Sequence, residues 1–141
     1  MRIALLQLNP TVGALDANAA RIETAVRALR GAVDVCVTPE MALTGYPPRD
    51  LLLMPGFIDR TQSVAARLAA AVADGPDVLI GMPVPSGVEA GRPLLNAGVH
   101  LRGGAVGRAY AKTLLPTYDV FDEDRYFEPG ASIDSVVIGG V

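Results

Sequence analysis

Two residues stand where the rim of a sheet would need them for chemistry. Glu40 closes the run Val33-Asp-Val-Cys-Val-Thr-Pro-Glu40, which is apolar and rich in β-branched valine. The turn-forming stretch Met41-Ala-Leu-Thr-Gly-Tyr-Pro-Pro-Arg-Asp50 follows at once. A carboxylate delivered at the end of such a strand lies where open α/β sheets carry their sites, and a general base is its natural use. On position alone the same acid also reads as a solvated strand end. Lys112 has a parallel setting, at the end of an apolar stretch and before Leu114-Leu115-Pro116. There it is either a solvated lysine or a cation held against developing negative charge. If the two strands run the same way in one sheet, acid and base share a rim; spacing does not decide this.

The other reactive residue types are weaker candidates. Cys36 is the single cysteine, and free cysteine is among the most buried residue types. Strand alternation puts it on the face of Glu40 but four residues earlier, about 13 Å away at the usual strand rise, too far for a base to reach. His100, the single histidine, alternates with apolar neighbours and reads as structural. No second histidine or cysteine supports a metal site. Gly103-Gly104 and Gly139-Gly140 lack phosphate-loop spacing. Residues 118–130, Tyr-Asp-Val-Phe-Asp-Glu-Asp-Arg-Tyr-Phe-Glu-Pro-Gly, are dense in acids and aromatics. They suit either an acidic surface loop or a pocket wall that holds an amine.

The elements that must position these residues follow from periodicity. Residues 3–8 form a continuous apolar run ended by Asn9-Pro10, as in a buried strand. Asp16 or Asn18 can cap a helix over 19–30, where Ile22, Val26 and Leu29 share one face and Gly31 ends it. Residues 33–38 are a second strand, so the opening is a βαβ unit with parallel pairing. A second amphipathic helix covers 59–73, with Val64, Leu68 and Val72 on one side. A third strand covers 77–82, and a Pro/Gly-rich loop covers 83–93. Residues 95–101 and 105–112 flank Arg102-Gly103-Gly104 as a hairpin, which makes the sheet mixed. Residues 115–130 are irregular, and 135–141 read as a further strand.

Composition narrows the function classes. The 141 residues are 50% hydrophobic with a net charge of −3, enough for a real core and without the basic footprint of a nucleic-acid or membrane surface. Aromatics make up 5% and tryptophan is absent, which argues against base stacking. No segment is long enough to span a bilayer. The apolar start is too short and too interrupted for a cleaved signal. With one cysteine, the expected location is the reducing cytoplasm.

Taken together, Ile3-Ala-Leu-Leu-Gln-Leu-Asn-Pro10, Pro39-Glu40 and Arg108-Ala-Tyr-Ala-Lys112 resemble the carbon–nitrogen hydrolase (nitrilase) superfamily. Within it, Leu43-Thr-Gly-Tyr-Pro-Pro-Arg-Asp-Leu-Leu52 and the whole run from Lys112 to Gly130 resemble the glutaminase domain of glutamine-dependent NAD synthetases. Pro-Glu alone is a weak signal; Thr-Gly-Tyr-Pro-Pro and Tyr-Phe-Glu-Pro-Gly, in order, are more specific. The resemblance covers essentially all 141 residues. It implies an α/β fold, the N-terminal part of a nitrilase-like α-β-β-α sandwich, with residues 1–141 as a domain incomplete at its C-terminal end and the synthetase domain absent. By position it implies Glu40 as general base, Lys112 as oxyanion stabiliser, Glu123 as a second, supporting acid, and Tyr118 in the wall of the glutamine pocket. It implies no metal and no cofactor in this chain, with ATP and Mg used by the parent's synthetase domain. The implied partners are L-glutamine and deamido-NAD, in a homo-oligomeric parent.

The family's nucleophile is a cysteine in an Ile-Cys-Glu-Asp-like motif, after the strand that follows Phe-Glu-Pro-Gly. This sequence stops at Gly139-Gly-Val141, before such a motif. The expectation is therefore a chain that is inactive alone. Its parent would hydrolyse glutamine to supply ammonia for ATP-dependent conversion of deamido-NAD to NAD. Two further readings stay open: a stand-alone nitrilase-like amidase acting on another small amide, and a catalytically empty binding or oligomerisation module.

Overall fold

The computed structural model describes residues 1–119 and 121–138. In chain order the elements are β1 (Ile3–Leu5), α1 (Leu15–Ala28), β2 (Val35–Val37), α2 (Phe57–Ala71), β3 (Asp77–Pro85), β4 (Leu94–Arg102) and β5 (Ala105–Ala111). Short 3-10 turns cover Arg49–Leu53 and Glu123–Arg125. The five strands form one sheet in the order β1-β2-β3-β4-β5. β1, β2 and β3 are parallel, and β4 and β5 each run antiparallel to the strand before. The expected βαβ opening, hairpin and mixed α/β sheet are all present.

Alternation along the strands separates two faces. Cys36, Val78, Ile80, Met82, Ala97, Val99 and Leu101 point to one side, where they pack with Leu15, Ile22 and Val26 of α1 and Val64, Ala65, Leu68 and Ala69 of α2. Burying each large aliphatic side chain there contributes roughly 1.5–3 kcal/mol, and the alanines of α2 let it lie close to the sheet. On the opposite side no helix packs among the described residues: Ile3 and Leu5 are 54% and 75% exposed. The run over 3–8 is thus a strand buried on one face only, and its pairing with β2 covers Ile3 to Leu5.

Other differences have local causes. α1 begins at Leu15, so Asn18 is not a cap but lies buried inside the helix. Its Nδ2 donates to the carbonyls of Thr11 and Leu43, and its Oδ1 accepts from Thr11 N. Asp16 sits in the first helical turn and binds Arg60 and Arg67 of α2. β3 runs on to Pro85, because residues 83–85 pair with Asn96, Leu95 and Leu94. Of the strand expected over 135–141, residues 135–138 join no ladder, and 139–141, including Gly139-Gly140, lie outside the described residues. Among the described residues, no helix is long and apolar enough to cross a membrane.

Candidate active site

β2 and β5 run in the same direction, with β3 and the antiparallel β4 between them. Glu40 follows β2 and Lys112 follows β5, so both leave the sheet at one rim. Asn96, near the start of β4, is at that rim too. Lys112 N donates to the Asn96 carbonyl at 2.8 Å and Gly130 N to the Lys112 carbonyl at 2.9 Å. These bonds hold the segment after Phe127 against β5. Glu128 N donates to Leu94 O at 2.7 Å, which brings the Glu123–Arg125 turn over the same rim.

The result is a convergence of charged side chains. Lys112 Nζ lies 2.9 Å from Glu40 Oε1 and 3.0 Å from each carboxylate oxygen of Glu123. Asn96 Nδ2 donates to Glu40 Oε1 at 2.5 Å and to Glu123 Oε2 at 3.4 Å. Tyr46 OH donates to Glu123 Oε1 at 3.3 Å. The side chain of Glu123 is 5% exposed and that of Glu40 41%. Glu123 is thus a buried, fully occupied carboxylate, whereas Glu40 opens to an incoming molecule. An open cavity of about 480 Å³ beside Glu40 is bordered by Val37, Leu79, Asn96, Tyr110 and Lys112, with Asp134 and Val136 of the last segment at its edge.

Electrostatics keep the lysine charged. Burial alone would pull its pKa down, but the hydrogen bonds and charges of Glu40 and Glu123 outweigh it and hold the ammonium above the ordinary lysine value. The Tyr46 phenol is pushed up to about 12, by burial first and then by the nearby carboxylates of Glu123 and Glu40. It therefore stays a hydrogen-bond donor at neutral pH. One ammonium thus serves two carboxylates, and two neutral donors, Asn96 and Tyr46, add hydrogen bonds to them.

The turn bearing Glu40 sits directly on β3. A Cβ at Gly81 would lie 2.4 Å from Pro39 O, 2.7 Å from Met41 N and 3.0 Å from Glu40 Cα. That close approach allows Gly81 N to donate to Thr38 Oγ1 at 3.0 Å and Leu43 N to Gly81 O at 3.3 Å. Met41 takes a left-handed conformation with φ 52°, which is strained for a residue with a side chain. Its side chain is fully buried with Leu52, Leu94, Tyr126 and Phe127. That second cluster is braced by Tyr126 OH donating to Asp50 at 2.7 Å and by Arg92 binding Asp124 at 2.6 Å.

The geometry brings together Glu40, Lys112 and Glu123, a convergence that spacing in the sequence left undecided. Tyr118 is further out and 69% exposed. Its ring meets Phe121 at 5.6 Å, and Phe121 meets Tyr46 at 6.3 Å, so an aromatic file leads from Tyr118 to the carboxylates. Cys36 does not take part. The strand ends at Val37, the turn over 38–41 breaks the alternation, and the thiol points into the helix-side core with no exposure while Glu40 opens to the cavity. Its burial pushes the thiol pKa up, the opposite of activation. His100 Nε2 donates to Asp77 Oδ2 at 2.9 Å, away from the site. Asn96 and Tyr46 are site residues the sequence did not single out. The available signal was an amide inside an apolar strand, where asparagine is uncommon.

Comparison with known proteins bears on this arrangement. The profile of the carbon–nitrogen hydrolase family matches residues 2–140. The glutamine-dependent NAD(+) synthetase of Synechocystis is 41% identical over 143 residues, covering 99% of this chain and 26% of that protein. The structure of the glutamine-dependent NAD+ synthetase of Acinetobacter baumannii, in complex with ADP, superposes with a TM-score of 0.81 at 30% identity, over 93% of this chain and 24% of that one. A variant of the Nesterenkonia AN1 amidase, from the nitrilase superfamily, gives a TM-score of 0.72 at 25% identity, over 94% and 49%. The chain spans about a quarter of the length of the curated relatives it matches.

Proposed function

The chain belongs to the carbon–nitrogen hydrolase family, and from that premise we propose that it forms the amide-hydrolysing rim of a glutamine-dependent NAD synthetase. The observation that carries this reading is the single cluster of Glu40, Lys112 and Glu123, with all three contacts to Lys112 Nζ at 2.9–3.0 Å. Identity to NAD synthetases over nearly the whole chain supports the substrate, L-glutamine.

In this reading Glu40 removes the proton of a cysteine thiol, and the thiolate attacks the side-chain amide carbon of glutamine. The carbonyl π electrons move to oxygen, and the Lys112 ammonium, fixed in advance, stabilises that charge. Glu40, now protonated, returns the proton to the departing nitrogen, which leaves as ammonia. Glu40 then takes a proton from the water that attacks the thioester and passes it to the cysteine sulfur as the C–S bond breaks and glutamate leaves. Glu123 holds Lys112 in place, and Tyr118, Phe121 and Tyr46 line the approach. Because Cys36 faces the wrong side of the sheet, the nucleophile belongs to sequence outside these 141 residues. Deamido-NAD binding and ATP-dependent ligation, with Mg, are assigned in this reading to the remaining three quarters of the relatives' length.

Ammonia release from L-glutamine by the protein that carries this chain tests the assignment. Glu40→Gln is expected to lower kcat on the order of 10²- to 10⁴-fold, as for loss of a general base. The 141 residues alone should release none. Ammonia release by those 141 residues that is lost in Cys36→Ala would sink the assignment. The likeness to the Nesterenkonia amidase favours a second reading, hydrolysis of a small aliphatic amide. It predicts turnover of acrylamide or propionamide in preference to glutamine.

A further inference from the structure

We propose that Asn96 is a positioning residue that selects which oxygen of Glu40 acts as the base; the proposal rests on the reading of Glu40 given above. Asn96 is 4% exposed and lies on β4, between β3 and β5. Its backbone is held by the Lys112 N–H and its side chain by two carboxylates. A side-chain amide carries two N–H donors on one nitrogen, one for each carboxylate. Turned the other way, it would set its carbonyl oxygen against two anions, so electrostatics select the observed orientation.

Among the described residues, both side-chain hydrogen bonds to Glu40 fall on Oε1: from Asn96 at 2.5 Å and from Lys112 at 2.9 Å. Oε1 is thereby engaged, and Oε2 is the oxygen left to take a proton from the reacting group. Lys112 alone could not impose this, because its three donors are shared with both oxygens of Glu123. A second cation in place of Asn96 would compete with Lys112 for the same carboxylates. A neutral amide adds donors without altering the charge balance of one ammonium against two carboxylates. Asn96 thus fixes the aim of Glu40 and leaves the charge available for the oxyanion to Lys112.

The test compares Asn96→Leu, which keeps the size and removes the donors, with Asn96→Asp, which keeps the shape and replaces the donors by an acceptor. Both are made in the whole protein, with Glu40→Gln alongside and melting followed by circular dichroism. Asn96→Leu is expected to lower kcat for glutamine hydrolysis on the order of 10- to 100-fold, the scale of a misaimed group, with KM nearly unchanged. Asn96→Asp is expected to fall at least as far at pH 7.5 (about the working pH assumed for the assay) and to recover in part as pH falls, when its acid form regains one O–H donor. A packing role predicts Asn96→Asp close to wild type at every pH, and that result overturns the proposal even if Asn96→Leu fails to fold. Full activity in Glu40→Gln removes the underlying reading instead; a dead Glu40→Gln with an unaffected Asn96→Asp refutes the role of Asn96 alone.

Discussion

Gly81→Ala is the most discriminating single-atom change this structure offers. The added Cβ would meet Pro39 O at 2.4 Å, Met41 N at 2.7 Å and Glu40 Cα at 3.0 Å. Ordinary carbon contacts begin at about 3.5 Å, so these are short by roughly half to one ångström. All three atoms are backbone, and no rotamer change relieves them. The Glu40 turn must lift off β3 by about that distance. Overpacking of this kind costs about 1–3 kcal/mol. The hydrogen bonds Gly81 N to Thr38 Oγ1 and Leu43 N to Gly81 O are weakened as the turn lifts, at about 0.5–1.5 kcal/mol each. The sum is about 2–6 kcal/mol, which for a domain of this size lowers Tm by roughly 6–24 °C. Displacing Glu40 by that much should also cut kcat on the order of 10²-fold. Gly98→Ala is the matched control for stability. It is also a sheet glycine, nothing among the described residues lies within 4 Å of its would-be Cβ, and it should hold or raise Tm. Chemical or thermal denaturation of both variants is the assay. A Gly81→Ala protein as stable as Gly98→Ala would refute the claim that this glycine exists to seat the Glu40 turn.

Tyr46 should ionise well above the ordinary phenol range, at about 12; absorbance titration near the phenolate band, with Tyr46→Phe for assignment, reads this directly. The sign follows from linkage. A pKa raised by folding gives stability that is whole below 10.0 and lost as pH climbs towards about 12. Lys112 behaves alike. Its folded pKa lies above 10.5, so the stability gap between wild type and Lys112→Met should stay constant up to that pH and shrink beyond it in pH-dependent denaturation. Cys36 should resist thiol reagents in the native protein and react at once in denaturant, since it has no exposure and burial raises its pKa. Asn18→Ala strips three hydrogen bonds from a 1% exposed site joining the Thr11 loop to Leu43. It should cost about 2–4 kcal/mol by denaturant unfolding.

Much of the scaffold was legible because apolar period is a local property. Ile22 and Val26 at four-residue spacing, and Val64 and Leu68 likewise, face the sheet as their sequence pattern requires. What period could not reveal is which strands share a rim. Glu40 and Lys112 meet only because β2 and β5 run the same way across two intervening strands, and register across a sheet is not written in either strand alone. Asn96 escaped notice for the same reason: its worth lies in partners 56 and 27 residues away. Alternation failed for Cys36 and Glu40 because it holds only along a strand, and β2 stops at Val37. The run over 3–8 misled in a different way, since apolar composition marks a surface to be covered without saying which layer covers it.

The strand order β1-β2-β3-β4-β5 matches the order of synthesis. Each new strand joins an edge that already exists, and none must wedge between two formed neighbours. On a ribosome delivering roughly 5–20 residues per second, the sheet can grow in one direction as it emerges. The electrostatic cluster closes late on this schedule. Glu40 and Asn96 appear first, Lys112 arrives at the end of β5, and Glu123 follows it. Until then Glu40 has no counter-charge and remains hydrated. The rim gathers these charges only when the five described strands are already in place beneath it.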